Sequence, residues 1–211
     1  MTDRRLTVVA HPLIQHKLGY LRDKETPTVH FRKLANEITL LLTYEATKDM
    51  PTEDAEIETP LERMTVQRIS GKKVAVCPVL RAGVGMLDGV LSLVSSARVG
   101  FVGMYRDEET LEPVQYYLKL PDDLSERDAI VLDPMLATGH SSCAAIAAVK
   151  EAGAQSVTLV CIVAAPPGIE EVHRQHPDVH IVCAAVDREL NEHGFIVPGL
   201  GDAGDRLYGT K

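Results

Sequence analysis

Five apolar runs recur along the second two thirds of the chain, at residues 74–80, 99–105, 129–132, 157–163 and 180–184. A strand with one face in water would alternate polar and apolar residues, and these runs do not. They read as strands buried on both faces. Helix-forming stretches fall between several of them, at residues 84–94, 141–152 and 168–176. Strands separated by helices make βαβ units, so the expected fold is α/β, a central parallel sheet flanked by helices. Residues 114–119 interrupt the pattern and are expected as a hairpin arm, or hood, rather than a sheet strand. Residues 12–47 read as an N-terminal helical arm, because Leu34, Ile38, Leu41 and Leu42 fall at helical spacing. The acidic stretch 48–62 contains Pro51 and Pro60 and is expected as a surface connection.

At 211 residues the chain suits one domain, residues 1–211, large enough to bury roughly 70% of its unfolded surface without a metal or disulfide. Lys and Arg number 22 against 30 Asp and Glu, a net charge of −8. That balance argues against a general nucleic-acid binder, which carries a basic face. It leaves room for a small anion, which a few Arg and backbone N–H groups can hold. Cys77, Cys143, Cys161 and Cys183 lie in apolar or small-residue runs without C-x-x-C spacing, as buried free thiols of a reducing compartment do. The longest apolar stretch, 157–165, falls well short of the roughly 20 residues that span a bilayer. Asp3, Arg4 and Arg5 precede only a short apolar run before His11-Pro12, so no signal peptide is expected. The expectation is a cytoplasmic protein with no membrane partner.

The segment with most chemical content is Ile130-Val-Leu-Asp133-Pro-Met-Leu-Ala137-Thr138-Gly139-His140-Ser141-Ser142, which an Ala-rich helix follows. A strand ends in an acid, a turn of small and hydroxylated residues follows, and a helix begins. Free N–H groups and the positive helix end then face one spot, with the Thr138 and Ser141 hydroxyls as further donors for a phosphate. Asp133, at the carboxyl end of its strand, can accept from sugar hydroxyls. The alternative is a Ser-capped helix with no ligand. No Lys follows the Gly, so this is not a Walker loop. Gly199-Leu-Gly201-Asp-Ala-Gly204 matches G-x-G-x-x-G by accident, since too little chain follows for the helix and strand that motif requires.

These residues resemble a family. Residues 132–139 look like the phosphoribosyl diphosphate (PRPP) motif of type I phosphoribosyltransferases, in its uracil phosphoribosyltransferase form. Residues 194–205 resemble the uracil-binding segment of the same enzymes, and residues 78–83 and 103–113 their two diphosphate-side segments. The motifs run in order from His11-Pro12 almost to the last residue. Most type I enzymes have paired acids in the PRPP motif, whereas here Pro134 follows Asp133, as in the uracil enzymes. His140 departs from the pattern, which usually has a second Gly there. A Gly at that place suggests a left-handed backbone, and His enters that region more readily than most residues. Its imidazole is then expected either beside the 5′-phosphate or turned to solvent.

The resemblance implies a pentosyl-transferring glycosyltransferase of pyrimidine salvage, converting uracil and PRPP to UMP and diphosphate. It implies that Arg81, Arg106, Asp133, Pro134, Met135, Leu136, Ala137, Thr138, Gly139, His140, Ser141 and Asp202 bind PRPP. It implies that Ile196, Gly201, Asp202 and Ala203 bind uracil, mainly through backbone groups. Asp202 is the candidate acceptor of the uracil proton, with loss to solvent or water as the alternative. Mg²⁺ is expected as cofactor, held mainly by PRPP and water. Arg32 and Lys33 lie where some relatives bind an activating GTP, although a basic pair on a helix is commonly a solvated face. A homodimer or higher oligomer is also implied. His173, His176 and His180 have ligand-like spacing, but Pro177 breaks any helix joining them. Tyr116 and Tyr117 are placed in the hood. The rival readings are a UMP-sensing RNA regulator, which the acidic balance disfavours, and a transferase for another base.

Overall fold

The computed structural model describes residues 5–106 and 113–210. The chain forms β1 (Leu6–Val8), α1 (Pro12–Arg22) and α2 (Thr28–Ala46), then β2 (Thr52–Glu58) and β3 (Arg63–Ile69). Next come β4 (Ala75–Leu80), α3 (Val84–Leu93), β5 (Arg98–Val99), β6 (Phe101–Arg106) and β7 (Pro113–Lys119). A 3₁₀ turn at Leu124–Glu126 leads to β8 (Asp128–Leu132), β9 (Met135–Leu136), α4 (His140–Glu151), β10 (Ser156–Ala164) and α5 (Pro166–Gln175). The last elements are β11 (His180–Val186), β12 (Glu189–Leu190), β13 (Ile196–Val197) and α6 (Ala203–Tyr208).

The main sheet runs in the order β1-β11-β10-β8-β4-β6-β7, with β5 beside β4 and β9 beside β10. It is parallel except at β7, which pairs antiparallel with β6. Residues 114–119 are therefore a hairpin arm as expected, but they also form the edge of the sheet they were set apart from. Successive strand residues point to opposite faces. Val76, Ile130, Leu132, Val160, Ile162 and Val182 join a core with residues of α1, α2, α3 and α6. Cys77, Val131, Leu159, Cys161 and Ile181 join a second core with α4 and α5. Both faces are covered, which is why the strands read as continuous apolar runs.

Two expectations change. The N-terminal helical arm is two helices, because Pro27 cannot continue α1 and instead precedes the first turn of α2. They are not an outlying arm: Ile14, Leu18, Leu21, Phe31, Ile38 and Leu42 are buried against the sheet. The supposed surface connection at 48–62 contains β2, which pairs with β3 in register from Thr52↔Ile69 to Glu58↔Arg63. Most residues of both strands are exposed, so the apolar signal of a strand is missing and the pairing is read only in three dimensions. β1, in the short apolar run before His11, adds the edge strand beside β11.

All four cysteines are buried and free. Burial pushes the Cys77 thiol to about 12 and Cys143 to about 11, far from nucleophilic readiness. The three histidines go to separate partners: His173 lies 3.3 Å from the Arg5 carbonyl, His176 3.1 Å from the Cys143 carbonyl and His180 2.9 Å from the Thr7 hydroxyl. Among the described residues no three His, Cys, Asp or Glu side chains form a metal group. Among them also, no helix is long and apolar enough to cross a membrane.

Candidate active site

The chain builds the sheet outward from β4 toward β6 and β7, then returns to the other side of β4 with β8, β10 and β11. Strand order reverses between β4 and β8, and open α/β sheets place ligands in the crevice beyond the strand ends at such a point. Arg81 directly follows β4, and Asp133 directly follows β8. Two hollows open there. One, of about 230 Å³, is walled by Arg81, Ala82, Met104, Asp133, Met135, Ala137 and by Thr138, Gly139, Ser141 and Ser142. The other, of about 240 Å³, is walled by Ala82, Asp133, Pro134, Met135, Ala137, Phe195, Ile196 and residues 201–204. They share Ala82, Asp133, Met135 and Ala137, so Asp133 stands where they meet.

The first hollow lies at the start of α4. Gly139 is the N-cap, with φ +87° and no side chain to close the helix end. A Cβ there would come 2.9 Å from the Gly168 carbonyl oxygen, so only glycine suits both the dihedral and the space. No serine caps α4. The first-turn N–H groups of α4, which lack intrahelical partners, stand at the hollow with the Thr138 and Ser141 side chains. Ser142 donates instead to Asp133 Oδ2 at 2.8 Å, and the Met135 N–H reaches Oδ1 at 3.4 Å. Burial raises the Asp133 carboxyl above the usual carboxylate range, and these two donors counter only part of that rise.

The second hollow is bounded by a turn and the start of α6. Ile196 is buried in β13, and the Asp202 carboxylate caps α6 by accepting the Asp205 N–H at 2.9 Å. Arg81 is exposed on the first hollow and reaches toward α6, since a Cβ on Gly204 would lie 3.9 Å from its Nη2. The Arg81 carbonyl accepts the Tyr208 hydroxyl at 2.9 Å. Burial raises the Tyr208 phenol, while the charges of Arg81 and Arg32 pull it back down.

Most of the residues singled out in the sequence converge here. Arg81, Asp133, Met135, Ala137, Thr138, Gly139 and Ser141 wall the first hollow; Pro134, Ile196, Gly201, Asp202 and Ala203 wall the second. Leu136 is fully buried in the core between the sheet and α4. His140 is the first residue of α4 and is exposed; the left-handed position is Gly139, so the backbone expected at 140 belongs one residue earlier. His140 is not among the residues walling the hollow. The Arg106 side chain lies outside the described residues. Arg32 and Lys33 part company: the Arg32 charge lowers the Tyr208 phenol, while Lys33 pairs with Glu37 at 3.9 Å beside a separate hollow. Ser142, Ala82, Met104, Phe195 and Gly204 are among the wall residues that sequence reading missed. Ser142 lies one place beyond the hydroxyls chosen for the phosphate, and nothing local tells that its hydroxyl turns back to Asp133.

Known proteins agree with this architecture. The profile of the uracil phosphoribosyltransferase family matches residues 8–210. The uracil phosphoribosyltransferase of Bacillus thuringiensis (strain Al Hakam) is 58% identical over 207 residues, covering 98% of this chain and 99% of that protein. That of Thermoanaerobacter sp. (strain X514) is 57% identical over 208 residues, covering 99% of each. Among solved structures, a protein from Aquifex aeolicus superposes with a TM-score of 0.92 at 38% identity, covering 98% of this chain and 99% of that one. The adenine phosphoribosyltransferase of Thermoanaerobacter pseudethanolicus shares only the fold, with a TM-score of 0.51 at 12% identity over 76% of this chain and 85% of that one. A profile match over nearly the whole length, with relatives 57–58% identical along it, makes this chain a member of the uracil phosphoribosyltransferase family.

Proposed function

We propose that the chain transfers the phosphoribosyl group of PRPP to uracil, giving UMP and diphosphate, in one transferase domain. The observation that carries this reading is the pair of joined hollows: an anion-binding side at the start of α4 and a base side lined by residues 196–203, meeting at Asp133. The 5′-phosphate takes the first-turn N–H groups of α4 with Thr138 and Ser141. The Asp133 carboxylate accepts from the ribose hydroxyls. As the C1′–O bond breaks, positive charge grows on the ribose and the electron pair leaves with diphosphate; the Arg81 guanidinium stabilises that charge, joined by Arg106 on the strength of the sequence match. Uracil presents acceptor, donor and acceptor on one edge, and main-chain groups of residues 201–203 can read it. Uracil N1 bonds to C1′ and gives up its proton, for which Asp202 is the candidate acceptor.

The donor set fits an ion that arrives with the substrate, because Asp133 and Asp202 are the only acids walling the hollows among the described residues. Asp133 is the carboxylate nearest to where such an ion would sit, and Mg²⁺ held mainly by PRPP and water would supply neutralisation of the leaving charge. GTP activation through Arg32 and Lys33, assembly into a homodimer or larger oligomer, and a cytoplasmic location belong to the same proposal, and they rest on the sequence resemblance. Sedimentation with and without GTP reads the first two together. The test of the activity is a panel of uracil, cytosine, orotate, hypoxanthine and xanthine with PRPP and Mg²⁺. UMP from uracil alone is expected; a nucleotide from another base in preference overturns the assignment.

A further inference from the structure

We propose that the buried ion pair between Arg22 and Asp187 is the positioning device of the base-binding segment, setting the affinity for uracil without touching it. The proposal rests on the assignment of residues 196–203 to the base. Arg22 ends α1 and Asp187 follows β11, so the pair joins distant parts of the chain beside the turn at Gly199. Arg22 Nη1 and Nη2 donate to Asp187 Oδ2 and Oδ1, both at 2.7 Å, a planar two-bond match that Lys cannot reproduce. The Asp187 side chain is 6% exposed and that of Arg22 22%.

The pair captures both main-chain polar groups of Gly199. Its N–H donates to Asp187 Oδ2 at 2.8 Å, and its carbonyl accepts from Arg22 Nη1 at 2.6 Å. Gly199 has φ +61°, and a Cβ there would come 2.1 Å from the Ile196 carbonyl oxygen, so the turn is closed tightly at this residue. Ile196 lies just before that anchor, and Gly201, Asp202 and Ala203 just after it; all four wall the base side. A second arginine secures the other end. Arg206 donates to the Leu200 carbonyl at 2.8 Å and to the Arg22 carbonyl at 3.4 Å, and its guanidinium stacks 4.4 Å above Phe31. Arg22 and Asp187 are absent from the walls of both hollows.

A buried ion pair is weak evidence for stability, since apolar residues of similar volume commonly serve the fold as well. What apolar residues cannot do is take the N–H and carbonyl of Gly199. That difference separates a positioning role from a structural one. Two variants test it, Arg22→Lys, which keeps the charge, and Arg22→Met with Asp187→Leu, which removes both charges together. Three quantities are read on each: melting temperature, Michaelis constants for both substrates, and hydrogen exchange of the amides at 196–203. The expectation is cooperative unfolding with a melting temperature lowered by several degrees in the double variant, where the buried Gly199 N–H and carbonyl lose their partners, and by less in Arg22→Lys; uracil KM rises about tenfold in both, the ratio that losing one charge-assisted hydrogen bond corresponds to. The KM for PRPP stays within about twofold, and exchange at 196–203 quickens about tenfold while residues 133–141 stay as they were. Folded variants with unchanged uracil KM and unchanged exchange overturn the proposal, as does loss of folding in both variants. Should wild type make no UMP, the base assignment fails by itself, and exchange at 196–203 alone decides the clamp: faster supports it, unchanged overturns it.

Discussion

Asp133 stands where the two hollows meet and where burial disfavours its charge. Its carboxyl is raised by desolvation, with the Ser142 hydroxyl and Met135 N–H as the only opposing contributions. Between the ordinary carboxylate pKa and this raised value, the folded protein binds more protons than the unfolded chain. Stability therefore falls as pH climbs through that window, and the full penalty stands above the raised value. Asp133→Asn keeps the shape and removes the charge. It is expected to raise the melting temperature above that window by about 2–4 °C, the shift roughly 1 kcal/mol produces in a chain of this size. The gain should vanish on acidification to the ordinary carboxylate range. The same variant, and Asp133→Ala, should lose about tenfold to a hundredfold in kcat/KM for PRPP, the equivalent of about 1.5–3 kcal/mol for a charged hydrogen bond. Thermal scans across pH and initial rates against PRPP check both halves; an Asn variant that is neither steadier nor slower refutes this account of the residue.

The loop from β8 into α4 works as one element because a single glycine closes it. Gly139 combines φ +87° with a Cβ position only 2.9 Å from the Gly168 carbonyl oxygen, which belongs to α5. Gly139→Ala should cost about 1–3 kcal/mol of stability and raise the KM for PRPP, because either the backbone strains or α4 and α5 move apart and the N–H groups lose their aim. Urea unfolding and PRPP kinetics measure the two effects, and an alanine variant equal to wild type in both shows the loop to be more tolerant than this. The β2–β3 hairpin is a contrast at the same level. It forms a sheet of its own with mostly exposed residues, so its strands are held by pairing with each other rather than by a core.

Across the molecule, the main sheet contributes to both cores and to the residues the two hollows share, so a ligand in the cleft should stabilise the whole fold. PRPP with Mg²⁺ at about 100 times its dissociation constant should add about 2.7 kcal/mol, or roughly 5–10 °C in melting temperature. Chelation of the metal should abolish most of that rise. A melting temperature indifferent to PRPP would place its binding elsewhere. The net charge of −8 does not oppose an anionic substrate, because the attraction is local, from one helix end and from Arg81 at the mouth.

The parallel sheet was legible in the residues because both faces of its strands are buried, leaving runs such as 157–163 with no polar alternation. The helices α3, α4 and α5 were legible as the stretches between those runs, and the loop from β8 into α4 from its order of strand, acid, small residues and helix. All of these are local signals. β2 was not, because its acidic residues face solvent and only its partner strand makes it a strand. Nor was the destination of side chains that share a motif: Ser142 turns to Asp133, Leu136 to the core and His140 outward. Neither the meeting of the two hollows at Asp133 nor the hold of Arg22 and Asp187 on Gly199 can be read along the chain. Each joins residues from separate elements, and only the packing of α1, α6 and the strand ends into one crevice brings them within hydrogen-bond reach.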